Sequence, residues 1–204
     1  MISQIQPHFL YNVLNSIPIL CYKDPNRAAE VTAEFAQYLR RNINSVFSLE
    51  PVSITEEIKH TKKYLELEKE RFGDILNVLW NIKDDSFYIP PLVLQPLVEN
   101  AVRHGICQRE EGGTVWIDIY SDETYHYVVI TDSGIGFDTA KLADNSDKLH
   151  VGLAYAKEQI VGICGGEMDT ESTPGRGTRV RISLPRESNT NFSLHHEKKN
   201  TDSN

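Results

Sequence analysis

The chain has 204 residues, 40% of them apolar, enough for one large domain or two small ones with a buried core. Its 21 basic and 29 acidic residues give a formal charge of -8, which repels nucleic acid and anionic lipid, so no nucleic-acid partner is expected. Three widely spaced cysteines (Cys21, Cys107, Cys164) form neither a metal-site pattern nor a disulfide framework and read as reduced thiols, no stretch approaches the ~20 apolar residues of a membrane span, and the start MISQIQPHFL lacks the basic head and apolar run of a signal peptide.

Ile2, Ile5, Phe9, Val13, Ile17 and Leu20 recur at helical spacing, with Leu10 and Leu14 widening the stripe, which predicts an amphipathic helix over residues 2–20. No N-cap precedes it, as expected of a domain cut from a longer chain. Asp24-Pro25 supplies an N-cap and a first-turn proline for a second helix reaching about Val46. Ser53-Ile-Thr-Glu56 forms a capping box for a third helix that Gly73 stops. The apolar stripes of the first two helices are wider than one hairpin can cover, so a homodimer is expected.

Beyond Gly73 the pattern changes. Residues 75–82 alternate as a strand and Ile89-Pro-Pro91 punctuates the chain. A helix is predicted from about Leu92 to Gly105, then strands near 115–120 and 127–131 and a glycine-rich turn from Asp132 to Gly136. A helix near Leu153 to Ile163 and two strands flanking Thr173-Pro-Gly-Arg-Gly177 complete an α+β half. After Pro185 the polar, aperiodic tail reads as disordered. The division is therefore 1-73 helical, 74-186 α+β and 187-204 tail.

Two sets of residues carry chemistry. Gln4, His8, Asn12 and Asn15 share one polar arc of the first helix, so His8 points away from the apolar stripe. A neutral imidazole is a competent nucleophile near neutral pH, Asn12 stands one turn further on, and Pro7 removes a helix hydrogen bond beside it. In the run Leu94 to Gly105, Glu99, Asn100, Arg103 and His104 fall on the face opposite Leu94, Leu97, Val98 and Ala101. One carboxamide, Asn100, with phosphate oxygens and water is a sufficient shell for Mg²⁺, and Arg103 and His104 would stand beside phosphate charge. The Asp132 carboxylate can accept a hydrogen bond from an adenine amino group, and Gly134 and Gly136 let backbone approach the base. Gly152-Leu153 is expected to open a helix and offer N–H groups to phosphate. Gly175, Gly177 and Thr178 close the set, with the Thr178 hydroxyl on the adenine side. ATP and Mg²⁺ are thus the expected ligands.

The segments Gln6-Pro-His-Phe-Leu-Tyr-Asn-Val-Leu-Asn15, Tyr64-Leu-Glu-Leu-Glu-Lys-Glu-Arg-Phe-Gly-Asp74 and Gln95-Pro-Leu-Val-Glu-Asn-Ala-Val-Arg-His-Gly105 resemble the LytS/YesM-type bacterial sensor histidine kinases, over nearly everything from Ile2 to Pro185. The resemblance implies a helical dimerisation and phosphoacceptor domain joined to a two-layer α/β sandwich ATPase domain of the gyrase/Hsp90/histidine-kinase/MutL type. It makes His8 the phosphoacceptor and Asn100 the Mg²⁺ holder. Asp132 becomes the adenine reader, and Gly134, Gly136, Gly152, Gly175, Gly177 and Thr178 shape the pocket. It also implies a response regulator as phosphoryl acceptor, membrane sensor segments upstream and a place on the cytoplasmic face of the membrane. The family's glycine box usually reads Gly-x-Gly-Leu with asparagine two residues on, where this chain has His150-Val-Gly-Leu153 and Tyr155, which predicts a looser hold on nucleotide. No acid follows His8, so the general base is left among Glu99, Glu66, Glu68 and Glu70. The rival readings are a superfamily ATPase without histidine transfer and an ATP-sensing dimerisation module.

Overall fold

A computed structural model describes residues 7–46, 50–139 and 148–189. The α1 helix (Pro7–Lys23) and α2 helix (Pro25–Val46) form a hairpin. The N-cap of α2 is as expected, with Arg27 N donating to Asp24 Oδ1 at 3.0 Å. Pro18 lies inside α1, where its missing N–H leaves one carbonyl of the ladder unbonded. Val13 on α1 and Ala28, Val31 and Phe35 on α2 are buried, whereas Tyr11, Leu14, Ile19 and Tyr22 are exposed.

A two-residue strand, β1 (Val52–Ser53), leads into α3 (Ile54–Phe72). The Ser53 hydroxyl caps it by accepting from Thr55 N, and Gly73 at φ +57° ends it. Next come β2 (Leu76–Ile82), β3 (Tyr88–Ile89) and α4 (Leu94–Asn100), which runs on as a π-helical turn over Ala101–Gly105. Then β4 (Gly113–Ser121), β5 (Tyr125–Asp132), α5 (Lys148–Cys164), β6 (Glu167–Thr173) and β7 (Gly177–Pro185) follow. The five-stranded sheet has the order β2-β4-β5-β7-β6, antiparallel except for the β2–β4 pair. Its inner face carries Val115, Ile117, Ile119, Val128, Ile130, Val180, Ile182 and Leu184, all at most 5% exposed. The helices cover that face, and Leu79 and Trp116 on the other face meet solvent. This is the expected α+β, two-layer arrangement.

The boundary expected at Gly73 cuts through continuous packing. β1 pairs with β3, and α3 buries Ile54, Ile58, Tyr64, Leu65 and Leu67 within the core shared with α4. The joint is polar as well. The Glu57 carboxylate, 2% exposed, accepts from Leu92 N and Leu94 N at 3.2 Å each, so an acid from α3 satisfies the otherwise orphaned donors at the start of α4. It also holds Leu92 at φ +57°, a conformation a leucine resists. Glu57→Ala is expected to cost about 2–4 kcal/mol, read as a lowered urea midpoint, because two buried N–H groups lose a charged acceptor. On the other side of α3, Arg27 Nη2 meets Glu70 Oε1 at 2.6 Å and ties α2 to α3, while Arg27 Nη1 meets Glu30 Oε2 at 2.9 Å within α2.

The tail also begins later than predicted. Residues 187–189 are described and Asn189 is 3% exposed: its Nδ2 donates to Tyr88 O at 2.8 Å and its Oδ1 accepts from Tyr88 N at 2.6 Å. The chain is therefore anchored on β3 past Pro185. Residues 190–204 lie outside the described residues.

Candidate nucleotide-binding site

A cleft open to solvent lies where α4, its π turn and α5 meet the ends of β5 and β7. Leu97, Ala101, Ile130, Leu153 and Val180 supply apolar wall, and Asn100, His104, Asp132 and Thr178 supply the polar groups. A flat base can slide against the first set while its edge and its phosphates meet the second.

Asp132 ends β5 and sits opposite Thr178 of β7 in the register. Burial pushes its carboxyl up to about 6, against the opposing pull of hydrogen bonds from Gly134 N and from the backbone and hydroxyl of Thr178. At neutral pH it is thus mostly ionised and mostly dry, which suits an acceptor for an exocyclic amine. Its surroundings are glycine because nothing larger fits. A Cβ on Gly105 would stand 2.5 Å from Asp132 Oδ1, one on Gly134 2.2 Å from Gly105 Cα, and one on Gly177 1.9 Å from Asp132 O. Gly136 packs as tightly, 2.1 Å from Thr173 O, whereas Gly175 faces open space and takes part through its N–H, which reaches Ile135 O at 2.5 Å.

Asn100 lines the same cleft at 9% exposure, and its Nδ2 has no hydrogen-bond partner among the described residues. A buried, unpaired amide aimed into a cleft is costly in an apo protein and is satisfied by a ligand oxygen. No cluster of three or more His, Cys, Asp or Glu capable of holding a metal exists among the described residues. The Asn100 Nδ2 donor suits a phosphate oxygen, and an ion would have to be taken by the Oδ1 of the same carboxamide together with phosphate and water oxygens. Gly152 faces Asn100, since a Cβ there would be 3.2 Å from Asn100 Nδ2.

Several expectations need correction. Glu99, Asn100, Arg103 and His104 do not share one polar face. α4 is buried all round, and the π turn inserts an extra residue per turn after Asn100, so the set divides. Asn100 and His104 line the cleft, while Glu99, 2% exposed, lies 3.9 Å from Arg103 and turns to α3, where both feel the charge of Glu68. Neither Glu99 nor Arg103 reaches the cleft wall. Burial, with the nearby Glu68, pushes the Glu99 carboxyl up to about 8 although Arg103 opposes it. Glu68 is raised in the same direction by its own burial. Among the other base candidates, Glu66 is exposed and Glu70 is engaged with Arg27. Nor does Gly152-Leu153 open a helix: α5 starts at Lys148, so the Gly152 N–H falls in the second turn instead of at a free end. Leu153 is a buried wall residue. His8 and Asn12 lie on α1, and their side chains, with that of His150, are outside the described residues.

Sequence reasoning missed Gly105, Phe137 and Ser172. The first two border the cleft, and Ser172 joins its two glycine turns: its Oγ accepts from Phe137 N at 2.8 Å and donates to Gly177 O at 3.1 Å. Gly105 closes the run from Gln95 and Phe137 follows the turn from Asp132 to Gly136, which is the signal for each, and a serine in an alternating strand gives none.

Comparison with known proteins bears on the same residues. The model of the family described as histidine kinase matches residues 1–76, and that of the histidine kinase-, DNA gyrase B- and HSP90-like ATPases matches residues 90–188. A putative uncharacterized protein, YwpD of Bacillus subtilis, is 41% identical over 191 residues, which is 89% of this chain and 67% of that one. The sensor protein LytS of Bacillus anthracis is 30% identical over 195 residues, 90% of this chain and 33% of its own length, so the chain spans about a third of that relative. Among solved structures, a mycobacterial sensor histidine kinase, MprB, superposes with a TM-score of 0.51 at 22% identity, covering 68% of this chain and 97% of that one. The catalytic domain of histidine kinase ThkA superposes at 0.53 with 18% identity, covering 68% and 96%. At those identities the two structures speak for the fold alone. Two family models that between them take in the helical hairpin, the Asn100 helix and the whole cleft leave one assignment: the chain belongs to the histidine kinase family and has the LytS-type sensors among its relatives.

Proposed function

We propose that this chain is the catalytic core of a two-component sensor kinase that transfers the γ-phosphoryl group of ATP to His8 and then to an aspartate of a response regulator. The observation that carries the nucleotide half is the juxtaposition in one cleft of a dry, ionised Asp132 and an unpaired Asn100 amide. The family models support the transfer half. In the first step an imidazole nitrogen forms a bond to the γ-phosphorus as the bond to the β–γ bridging oxygen breaks. ADP leaves, and the ring gives up its N–H proton. Mg²⁺ would be held through the Asn100 Oδ1 and would supply countercharge for the triphosphate. The chain's own residues anchor the base at Asp132 and Thr178, exclude water with Leu97, Ile130 and Val180, and bring His8 to the cleft mouth on a movable hairpin.

The test uses γ-labelled ATP. Wild type should acquire label that is lost in acid and kept in alkali, and His8→Ala and Asn100→Ala should reduce it by about a hundredfold or more. Label of that kind persisting in His8→Ala overturns the acceptor, and phosphate release without any labelled protein favours a plain ATPase. A homodimer built on the exposed Tyr11, Leu14, Ile19 and Tyr22 of α1 belongs to the same proposal. Equilibrium sedimentation at micromolar concentration should show a dimer that Leu14→Glu dissociates, and a wild-type monomer would count against it. No described helix is long and apolar enough to cross a membrane, so membrane sensor segments and a cytoplasmic location are proposals about a longer protein.

A further inference from the structure

Arg27, in the first turn of α2, is shared among three carboxylates. Its Nε and Nη2 both donate to Glu70 Oε1 of α3, at 2.9 and 2.6 Å, its Nη1 donates to Glu30 Oε2 at 2.9 Å, and Glu34 Oε1 lies 3.8 Å from that same nitrogen. One cation thus serves three anions. Glu30 and Glu34 stand one turn apart on α2 and repel each other, and Glu34 Oε2 is shut off from solvent with no hydrogen-bond partner among the described residues. The contact between the helices therefore changes sign with a single group. With Arg27 seated, α2 is drawn to α3; with Arg27 withdrawn, Glu34 and Glu70 face each other uncompensated and push the helices apart. The side chains of Arg27, Glu34 and Glu70 are only 28%, 26% and 33% exposed, so water and salt screen them less than they would a pair standing free.

The clasp joins two parts that phosphoryl transfer requires to move. α1 carries His8 and is paired with α2, whereas α3 is fixed to the ATPase half by the Glu57 carboxylate and the apolar core. Val31 and Phe35 of α2 join that core, so the clasp reinforces a docked hairpin that apolar contact also holds. No residue lining the cleft comes from α1 or α2. Asn100 lines the cleft while its neighbour Glu99 turns to Glu68 of α3, so α3 and the cleft lie on different sides of α4. We propose that the Arg27–Glu70 clasp is an autoinhibitory latch: it holds the hairpin that carries His8 against α3, away from the cleft, and transfer proceeds from the population in which the latch is open.

This inference rests on the transfer reading above, and the experiment tells the two apart. Initial rates of His8 labelling at saturating γ-labelled ATP, and the KM for ATP, are measured on wild type, Arg27→Gln, Glu70→Gln and the exchange pair Arg27→Glu with Glu70→Arg. Opening the latch should raise the rate about three- to fivefold in each single variant, the size of a partly shielded ion pair. The KM for ATP should stay within about twofold, because the cleft is untouched. The exchange pair rebuilds the attraction with its signs reversed and should return the rate to that of wild type. A lowered or unchanged rate in the single variants would mean that the clasp only supports the helices, and a raised rate that persists in the exchange pair would mean that the two residues do not act on each other; either result overturns the latch. If wild type takes up no acid-labile label, the transfer reading fails and the latch falls with it. Should Arg27→Gln not fold, as judged by circular dichroism, Glu70→Gln opens the same contact from α3 and is read against the same criteria.

Discussion

Gly177→Ala is expected to destroy nucleotide binding and to destabilise the fold by about 3 kcal/mol or more, because a methyl there meets backbone and a left-handed conformation at once. The added carbon would stand 1.9 Å from Asp132 O at a residue with φ +84°, so β5 and β7 would have to part at the point where the cleft is built. Gly134→Ala should behave similarly, since its methyl would press on Gly105 at 2.2 Å. Gly175→Ala is the control. It has φ +79° but open space around it, so only the conformational cost of about 1–2 kcal/mol remains and nucleotide should still bind. Thermal unfolding with and without ADP checks the ranking. Equal effects of Gly175→Ala and Gly177→Ala would contradict the packing described for the Asp132 turn.

Glu99→Gln should make the protein more stable in mild alkali and flatten its pH dependence. The Glu99 carboxyl is raised from 4.5 to about 8 by burial, so the folded state holds its proton more tightly than the unfolded chain does. The stability linked to the neutral form is complete below about 4.5 and declines as pH rises towards and through about 8. Glu68, also raised, acts in the same direction. The full difference corresponds to at most ~5 kcal/mol, and the nearby Arg103 lets the real loss be smaller. A neutral carboxamide has nothing to ionise. Urea titrations between about pH 5 and pH 9 should show wild type weakening more steeply than Glu99→Gln, which keeps only the contribution of Glu68. A wild type whose midpoint does not fall over that range would remove the basis for a buried, proton-holding acid.

The same pair of acids shows what the sequence could and could not disclose. Periodicity located every long element, and local chemistry placed the caps at Asp24 and Ser53 and the stop at Gly73, because those signals depend on neighbours within a turn. The glycine positions were legible for a related reason: Asp132, Gly134 and Gly136 form a run whose backbone demands are local. What failed was anything decided across the fold. That α3 belongs with α4 rests on a carboxylate 35 residues from its donor, Glu57 accepting from Leu92 N, and no helical wheel contains that contact. The wheel drawn for residues 94–105 assumed an unbroken α-helix. The π turn after Asn100 breaks that assumption and sends Glu99 and Arg103 to α3 while His104 stays in the cleft. The start of α5 was misjudged because Gly152 looked like a terminus, where the glycine in fact makes room for Asn100.

The strand order has a consequence for how the chain acquires its shape. β7 is among the last elements in sequence yet lies inside the sheet, between β5 and β6, and it carries Gly177 and Thr178. During synthesis at about 5–20 residues per second, β5 waits with one edge bare until residue 185 has left the ribosome, and its partner is more than 40 residues downstream in a register running from Tyr125–Pro185 to Asp132–Thr178. No earlier hairpin can substitute for it. The nucleotide cleft thus cannot close until β7 has been made, and a chain stopped short of β7 would present a strand of Val128, Val129 and Ile130 with an open edge to whatever lies nearby.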